Sequence, residues 1–583
     1  MTDPSSESTP RTTTAGWRSV RRYGPLVAVL ALVAAAVVVF GGGDDGGSDD
    51  DQAADGAAEA GDVDRADLVR RGPMTPERAE LEGVGDVDFG PNCDEGTGQI
   101  RLPTVYAPPC VEPFDGDNQG ATYPGVTEDT VKVVAFLPDP ALDPLGAAAV
   151  GGLGADLDPE TGMETMQDYL DIYNELFETY GRTVELEFYT GTGESDDQDA
   201  ARADAVAIAE REPFAVIGAP LQAREVFADT LVDNGVVCAP GCALAMADDF
   251  IAERDPLVWN FGPTANQASQ LAAAAIGNLA GPGPAELAGD EALQQQDRVY
   301  AAVYYTAPES EESAGFDALE TGLSDHGIEL EVELPYLLDL PRVQENARSI
   351  VAQLEEAGVT TVIFYGDPLM PQALTTEATA QEYFPEWILG PNLLADTALF
   401  GRSFDQEQWG NGFGLSFAGN PGVDTVGDSY LMYDWAYGRE PPSNIYAVLD
   451  PGLRTLFTAI HMAGPELKPE TFRDGLLRLP PGGGGPTRGL ISYGNDDLWP
   501  SFDYGGSDDV ALIWWDPEAQ GADELGQQGP GMYRFANGGQ RYTLDEMPSS
   551  AAEAGLFDTD ASVIELTDLP ADDRSPDYPS PDL

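Results

Sequence analysis

A chain of 583 residues has room for two to four domains. It carries 102 Asp and Glu against 28 Lys and Arg, and this net charge of −74, with no basic cluster beyond the N-terminus, argues against a nucleic-acid partner. A strongly acidic surface with two lysines, Lys132 and Lys468, suits saline surroundings, and genomic base bias explains the same composition equally well.

The N-terminus has the pattern of an export or anchor segment. Arginines between Arg11 and Arg22 precede the apolar stretch Leu26–Phe40. With its glycine flanks this stretch reaches about 20 residues, which suits either a signal or a membrane span. Positive charge before it keeps the N-terminus in the cytoplasm and sends the rest outside. We therefore predict a cytoplasmic tail and a signal or transmembrane segment over residues 1–43, with the cleaved and tethered forms both open.

The composition of residues 44–124 predicts an acidic spacer followed by a disulfide-tied extension. The first part is dense in Gly, Ala and Asp and has too few apolar residues to fold. Two cysteine pairs, Cys93 with Cys110 and Cys238 with Cys242, most simply form two disulfides in an oxidising compartment. The alternative for Cys238 is a small buried apolar residue.

From Val131 to Pro391 the chain repeats an apolar strand, a turn of small residues and an amphipathic helix. This pattern predicts parallel strands joined by crossover helices. The predicted strands are Val131–Phe136, Val184–Tyr189, Phe214–Gly218, Val236–Val237, Val299–Tyr305, Ile328–Leu334, Thr361–Tyr365 and Trp387–Leu389. Ligands of such sheets bind beyond the carboxyl ends of the strands, so the site residues should follow each strand directly.

The intervening helices are marked by three- and four-residue apolar spacing. They are Met163–Tyr180, Asp199–Arg211, Gln222–Asn234, Thr264–Leu279, Ser313–His326, Pro341–Ala357, Leu369–Tyr383 and Ile445–Met462. The region Gly489–Tyr542 turns to short strands, of which Val510–Trp515 is the clearest. The remaining tail is acidic and rich in proline, and it is predicted to be disordered.

Signatures of catalysis and of metal binding are missing. The sequence has no G-x-S-x-G elbow, no P-loop and no H-E-x-x-H motif. Asp115–Gly120 begins like a calcium loop, but Val126 stands where the bidentate Glu is required. The two histidines, His326 and His461, lie far from both cysteine pairs in the sequence. We predict no catalytic residue, no cofactor and no metal site, and hence a binding protein instead of an enzyme.

The stretch Val184–Asp199, followed by an Ala-rich helix and Phe214-Ala-Val-Ile-Gly-Ala-Pro220, resembles the first lobe of type I periplasmic binding proteins. The similarity is to the branched-chain amino-acid (Leu/Ile/Val) binding group served by ABC transporters. Later segments are similar to this group in the same order: Asn234–Pro240, Trp259–Thr264, Val303–Tyr305, Thr361–Gly366 and Leu389–Asn392. The resemblance covers roughly residues 127–541.

The resemblance implies an α/β fold of two lobes, each a parallel sheet flanked by helices, with the ligand between them. The implied division is 125–262 for the first part of lobe 1, 263–391 for the first part of lobe 2, 392–486 for the return to lobe 1, 487–546 for the C-terminal strands of lobe 2 and 547–583 for the disordered tail.

The loops after the strands then supply the candidate ligand-binding residues. They are Leu137, Pro138, Ala219, Leu221, Gln222, Ala239, Gly241, Cys242, Tyr305, Thr306, Asp367 and Asn392. Tyr305 would stack on a small organic solute, Asp367 would face a cationic group, and Gln222 and Asn392 would form hydrogen bonds. The alternatives are a core aromatic for Tyr305 and a helix N-cap for Asp367.

Several positions depart from the family that the chain resembles. Leu221 and Gln222 stand where that family places hydroxyl residues for a ligand carboxylate, and Asn392 stands where an acidic residue holds an α-ammonium group. Asn392 brings no charge, so the departures speak against a free α-amino acid as the ligand.

The resemblance implies an extracytoplasmic solute-binding protein that captures a small organic molecule, such as an amino acid, an amide or a related solute, and delivers it to an ABC transporter permease. The alternative is a membrane-tethered ligand sensor or envelope protein on the same fold with no role in transport.

Overall fold

The computed structural model describes residues 65–143, 146–147, 158–306, 313–392, 394–417, 420–494, 497–581 and 583. The predicted signal or anchor segment, 1–43, and the first part of the spacer lie outside these residues. Among the helices that the structure does describe, none is long and apolar enough to cross a membrane.

An N-terminal extension packs on lobe 1. It consists of α1 (Arg65–Arg71), α2 (Pro76–Glu82) and the antiparallel pair β1 (Cys93–Asp94) and β2 (Gln99–Ile100). Its buried residues Leu68, Ile100 and Leu102 belong to the core of lobe 1. The predicted Cys93–Cys110 disulfide is confirmed, with a Cα–Cα distance of 5.6 Å.

Arg182 joins this extension to lobe 1. Its side chain is almost fully buried, and its guanidinium donates hydrogen bonds to the carbonyl oxygens of Thr127, Pro465 and Asn118 at 2.6–2.9 Å. Burial lowers the pKa of Arg182. The guanidinium is thus held by carbonyl oxygens, which satisfy its N–H donors where water is excluded.

Lobe 1 is built on a four-stranded parallel sheet in the order β4–β3–β5–β6. All four strands were predicted, and the helices that follow them bury one face each against the sheet. The elements are β3 (Thr130–Leu137), α3 (Pro159–Leu176), β4 (Thr183–Thr190), α4 (Gln198–Ala209), β5 (Ala215–Ile217), α5 (Arg224–Asp233), β6 (Val237–Cys238) and α6 (Asp248–Ala252). Because the strands are parallel, their carboxyl ends open at one edge of the lobe.

Lobe 2 contains an eight-stranded mixed sheet in the order β13–β12–β11–β10–β9–β7–β8, with β14 also paired to β12. Strands β7 to β11 are parallel, and β12, β13 and β14 are antiparallel additions. The elements are α7 (Ala265–Leu279), β7 (Tyr300–Tyr305), α8 (Phe316–Asp325), β8 (Leu330–Tyr336), α9 (Val343–Glu356), β9 (Thr361–Gly366), α10 (Met370–Ala380), β10 (Glu386–Asn392), α11 (Ala398–Gly401), α12 (Gln406–Trp409), β11 (Phe413–Ser416), β12 (Val510–Ala522), β13 (Gln528–Phe535) and β14 (Arg541–Tyr542).

The prediction that the chain returns to lobe 1 at residue 392 is wrong. Strand β11 lies between β10 and β12, and Phe404 and Trp409 are buried in the core of lobe 2. The return follows Ser416, before α13 (Asp428–Tyr437), α14 (Tyr446–Ala463) and α15 (Pro469–Leu477). Strand β11 escaped prediction because four residues give too short a pattern to separate a strand from a loop.

The predicted boundary at residue 487 is also too early. Tyr493 and Tyr504 belong to the core of lobe 1, and both rings lie against Trp259. The third crossing follows them and runs beside the first, since the Gly506 N–H donates to the Gly262 carbonyl at 3.0 Å. Aromatic packing that sequence spacing does not reveal therefore fixes where the chain leaves lobe 1.

The C-terminal tail, predicted to be disordered, is packed over most of its described length. Val563 exchanges two backbone hydrogen bonds with Phe535 of β13, and the Leu566 carbonyl accepts from Val423 after the return to lobe 1. Asp573 accepts from the Thr487 N–H at 2.8 Å, and Tyr578 donates to Asp94 of the extension at 3.0 Å. The composition of the tail gave the wrong prediction because the tail is ordered by hydrogen bonds to both lobes, and composition does not reveal such distant partners.

Truncation tests the tail. Removing residues 562–583 should lower the free energy of unfolding by about 3–5 kcal/mol, at about 1 kcal/mol for each hydrogen bond lost. Removing 579–583 is the control, because the described contact it deletes is the Ser580 hydroxyl bond to the Trp435 carbonyl. Equal melting temperatures of both truncated chains and the intact protein would contradict an ordered tail.

His461 is a buried neutral histidine in the last turn of α14, where it contacts the extension. Its Nδ1 accepts from the Glu178 N–H at 2.8 Å, so that nitrogen carries no proton, and Nε2 donates to the Pro109 carbonyl at 2.9 Å. Burial lowers its pKa from 6.5 to about 4. A proton added to Nδ1 would remove the acceptor that Glu178 needs.

Because the folded pKa of His461 lies below the unfolded value, the unfolded state binds the proton first. Stability from this group should be complete above pH 6.5 and should be lost as the pH falls to about 4, by about 3 kcal/mol at most. His461→Gln keeps one donor and one acceptor without titrating. The difference in unfolding free energy between the wild type and this variant should shrink over that pH range in urea titrations, and a constant difference would refute the assignment.

Candidate functional site

The loops that follow the parallel strands of both lobes form the candidate site. Lobe 1 contributes the turns after β3, β4, β5 and β6, and lobe 2 contributes those after β7, β9 and β10. Gly218 begins the turn after β5 with φ +79°, and a Cβ there would lie 2.6 Å from the Phe136 carbonyl oxygen. This close approach lets the residues after Gly218 turn out of lobe 1 towards lobe 2.

A hydrogen bond joins the two lobes at this site. Nε2 of Gln222, in the turn after β5, donates to the Tyr305 hydroxyl at the end of β7 with a distance of 3.0 Å. Lobe 1 orients Gln222, because its backbone N–H donates to the Ser195 carbonyl at 3.1 Å and the Ser195 hydroxyl lies 3.3 Å from its Oε1. Two predicted site residues from different lobes are therefore in direct contact.

Tyr305 is partly buried and lies edge-on to Tyr336, with ring centroids 6.2 Å apart. Burial raises its pKa, the hydrogen bond from Gln222 and the charge of Arg224 lower it, and the carboxylates of Asp367 and Asp196 raise it. The ring thus stands where charged groups of both lobes converge. A hydroxyl kept neutral in this way both accepts and donates hydrogen bonds.

Asp367 acts as a helix cap inside lobe 2. Its Oδ1 accepts from the Leu369 and Met370 backbone N–H groups at 2.7 and 3.0 Å, and its Oδ2 accepts from the Tyr336 hydroxyl. Burial raises its pKa, which these bonds oppose. The alternative reading as an N-cap describes these contacts, and both carboxylate oxygens are occupied within the lobe.

Asn392 and Thr306 are likewise engaged within lobe 2. The Asn392 amide donates to the Gly390 carbonyl at 3.1 Å and accepts from the Asp396 N–H at 3.2 Å. The Thr306 N–H donates to the Tyr336 carbonyl at 2.9 Å. No described contact joins either residue to Gln222 or Tyr305.

The remaining lobe 1 candidates divide by exposure. Leu137, Ala239 and Cys242 are buried, so their side chains support the wall of the site from behind. Solvent reaches the others in part: Pro138, Ala219, Leu221 and Gly241. The predicted Cys238–Cys242 disulfide is confirmed and closes the turn after β6, with a Cα–Cα distance of 5.3 Å.

Sequence reasoning missed Arg224, Ser195 and Tyr365. Arg224 begins α5, two residues after Gln222, and Tyr365 lies near the end of β9 with its hydroxyl donating to the Ala314 carbonyl at 2.6 Å. Ser195 follows β4 and precedes Asp197, which caps α4 by accepting from the Ala200 N–H at 2.9 Å. The position of these loops beyond strand ends was the signal that could have found them.

Asp367 gives a test that separates a cap from a ligand contact. Asp367→Ala should lower the free energy of unfolding of the empty protein by about 2–3 kcal/mol, because two backbone N–H groups and a buried hydroxyl lose their acceptor. Asp196→Ala is the control, since that carboxylate is exposed and also faces Tyr305. Calorimetry that finds equal melting temperatures for the two variants would show that the cap is unimportant.

No protein-family model and no curated protein matches the chain. Among solved structures it is similar to an ABC transporter substrate-binding protein from Aeropyrum pernix, at 15% identity and TM-score 0.48 over 73% of this chain and 98% of that one. It is also similar to a fatty acid ABC transporter substrate-binding protein from Thermomonospora curvata (14%, 0.46, 73% and 96%) and to a leucine-, isoleucine-, valine-, threonine- and alanine-binding protein from Brucella ovis (12%, 0.46, 72% and 98%). Likeness of this degree does not define a ligand, so the function of this chain rests on its own geometry.

Proposed function

We propose that this chain is an extracytoplasmic solute-binding protein that closes its two lobes on a small organic molecule. The observation that carries the proposal is the Gln222–Tyr305 hydrogen bond, which joins the turn after β5 in lobe 1 to the end of β7 in lobe 2. Both residues follow parallel strands, where ligands of open sheets bind. Hinge closure of two lobes around a ligand is the corresponding motion.

The crossings between the lobes suit such a hinge. The first and third run side by side through the Gly506–Gly262 backbone bond, and the second follows β11. Rotation about a few residues at these crossings would separate Gln222 from Tyr305 and open the site. A ligand that contacts both turns would favour the closed form by its difference in affinity for the two forms.

Location and partner follow from the same proposal. Two disulfides fit an oxidising compartment and support the proposal that the folded chain lies outside the cytoplasm. There it would hand the solute to an ABC transporter permease. Described residues offer no group of His, Cys, Asp and Glu that could hold a metal, and we propose no catalytic step.

Ligand screening tests the binding role. A panel of carboxylic acids, amides, amino acids and alcohols should include a solute that raises the melting temperature, since a ligand at about 100 times its Kd stabilises the native state by about 2.7 kcal/mol. Tyr305→Phe should weaken its binding and reduce the closure seen by small-angle X-ray scattering. Tyr437→Phe is the matched control, because it deletes a hydroxyl bond to the Asp168 carbonyl within lobe 1. A panel without any stabilising solute, or closure that survives Tyr305→Phe in full, would count against the proposal.

Uptake separates transport from sensing. Cells that lack the chain should lose uptake of the radiolabelled solute, and wild-type protein should restore it. Normal uptake in those cells would assign the binding protein to a sensor role.

A further inference from the structure

Arg224 stands in the candidate site, and no carboxylate among the described residues forms an ion pair with it. It begins α5, and its guanidinium donates one hydrogen bond, from Nη1 to the Leu244 carbonyl at 2.6 Å. A guanidinium has five N–H donors. The described residues form no ion pair with Arg224, whereas Arg298 is paired with Glu386 at 2.7 Å and Arg541 with Asp509 at 2.8 Å.

The groups of the opposite lobe that act on Arg224 are hydroxyls. Burial lowers the pKa of Arg224, and the nearby groups that oppose this are Tyr305 and Tyr365 of lobe 2, with Glu225 beside it on α5. Solvent still reaches part of the side chain. The guanidinium keeps N–H donors that face the site, and an anion that enters there would accept charge-assisted hydrogen bonds from them.

Acidic residues near Tyr305 favour an anion with a single charge over one with two. Carboxylates of the loops after β3 and β4, Asp143, Glu194, Asp196 and Asp197, lie close enough to act on one another, and burial together with this repulsion raises the pKa of Glu194. A second negative group on a ligand would meet this acidic rim. The apolar surface available is the Tyr305 ring and Leu244, which is 38% exposed.

We propose that Arg224 binds the carboxylate of a monoanionic organic acid whose apolar body lies on the Tyr305 ring. The inference rests on the proposed solute-binding function and names the class of solute. The guanidinium would give a charge-assisted, planar pair of hydrogen bonds to the carboxylate. The Tyr305 and Gln222 side chains would close over the apolar part, which burial of that surface favours.

Pairs of probes of nearly equal shape, one a carboxylate and the other its neutral amide, test the inference. Isothermal titration calorimetry of the exported protein compares two pairs of ligands, benzoate with benzamide and hexanoate with hexanamide. Each acid should bind about tenfold more tightly than its amide, because a hydrogen bond to a charged group exceeds a neutral one by about that factor. Arg224→Met should remove this preference, and Arg224→Lys should retain part of it.

Arg202→Met is the matched control. Arg202 lies on α4 of the same lobe and pairs with Asp199 at 3.3 Å on the helix surface, so its loss changes the net charge equally. This variant should keep the preference for the acids. A preference that persists in Arg224→Met, or an intact protein that binds amides as tightly as acids, overturns the inference and leaves solute binding in place. An intact protein that binds neither acids nor any other solute of the wider panel overturns both.

Discussion

Basic residues are few in this molecule, and the fold depends on where the buried ones lie. With 28 Lys and Arg against 102 Asp and Glu, the basic residues are too few to pair with the carboxylates one to one, and the excess carboxylates repel one another. The buried arginines therefore lie where two parts of the chain must be held. Arg182 binds carbonyl oxygens of the extension, and Arg298 makes a two-pronged ion pair with the fully buried Glu386 at the start of β10.

Three further ion pairs, formed by two buried or nearly buried aspartates, lie next to the crossings between the lobes. Asp428 opens α13 after the second crossing and accepts from Arg454 and Arg488. Asp509 precedes β12 after the third crossing and pairs with Arg541. Removing one partner of such a buried pair leaves an uncompensated charge, at a cost of about 3–5 kcal/mol. The segments that a hinge must bend around are thus anchored on each side by charge.

The extension and the tail add constraints that the two lobes alone would lack. The tail bonds to β13 through Val563, to the second crossing through Leu566 and to the extension through Tyr578. It therefore spans from lobe 2 to lobe 1 beside a crossing. The hinge motion that we propose would therefore also displace this segment.

The sequence by itself determined the parallel strands β3 to β10 and the lobe that each belongs to. Apolar runs such as Val131–Phe136 and Thr361–Tyr365 lie within strands of the structure, and both cysteine pairs are disulfides, because period, length and cysteine spacing are local properties. Position after a strand also predicted Gln222 and Tyr305 as site residues, and the structure brings these two side chains into contact.

Tertiary structure alone decided the rest. The short strand β11, the late crossings and the ordered tail depend on partners far away in the chain, such as Val423 for Leu566, which no local pattern encodes. The same holds for Asp367 and Arg224. Their charges are visible in the sequence, but whether a charge is capped by backbone N–H groups or left facing a cleft is fixed by what folds against it.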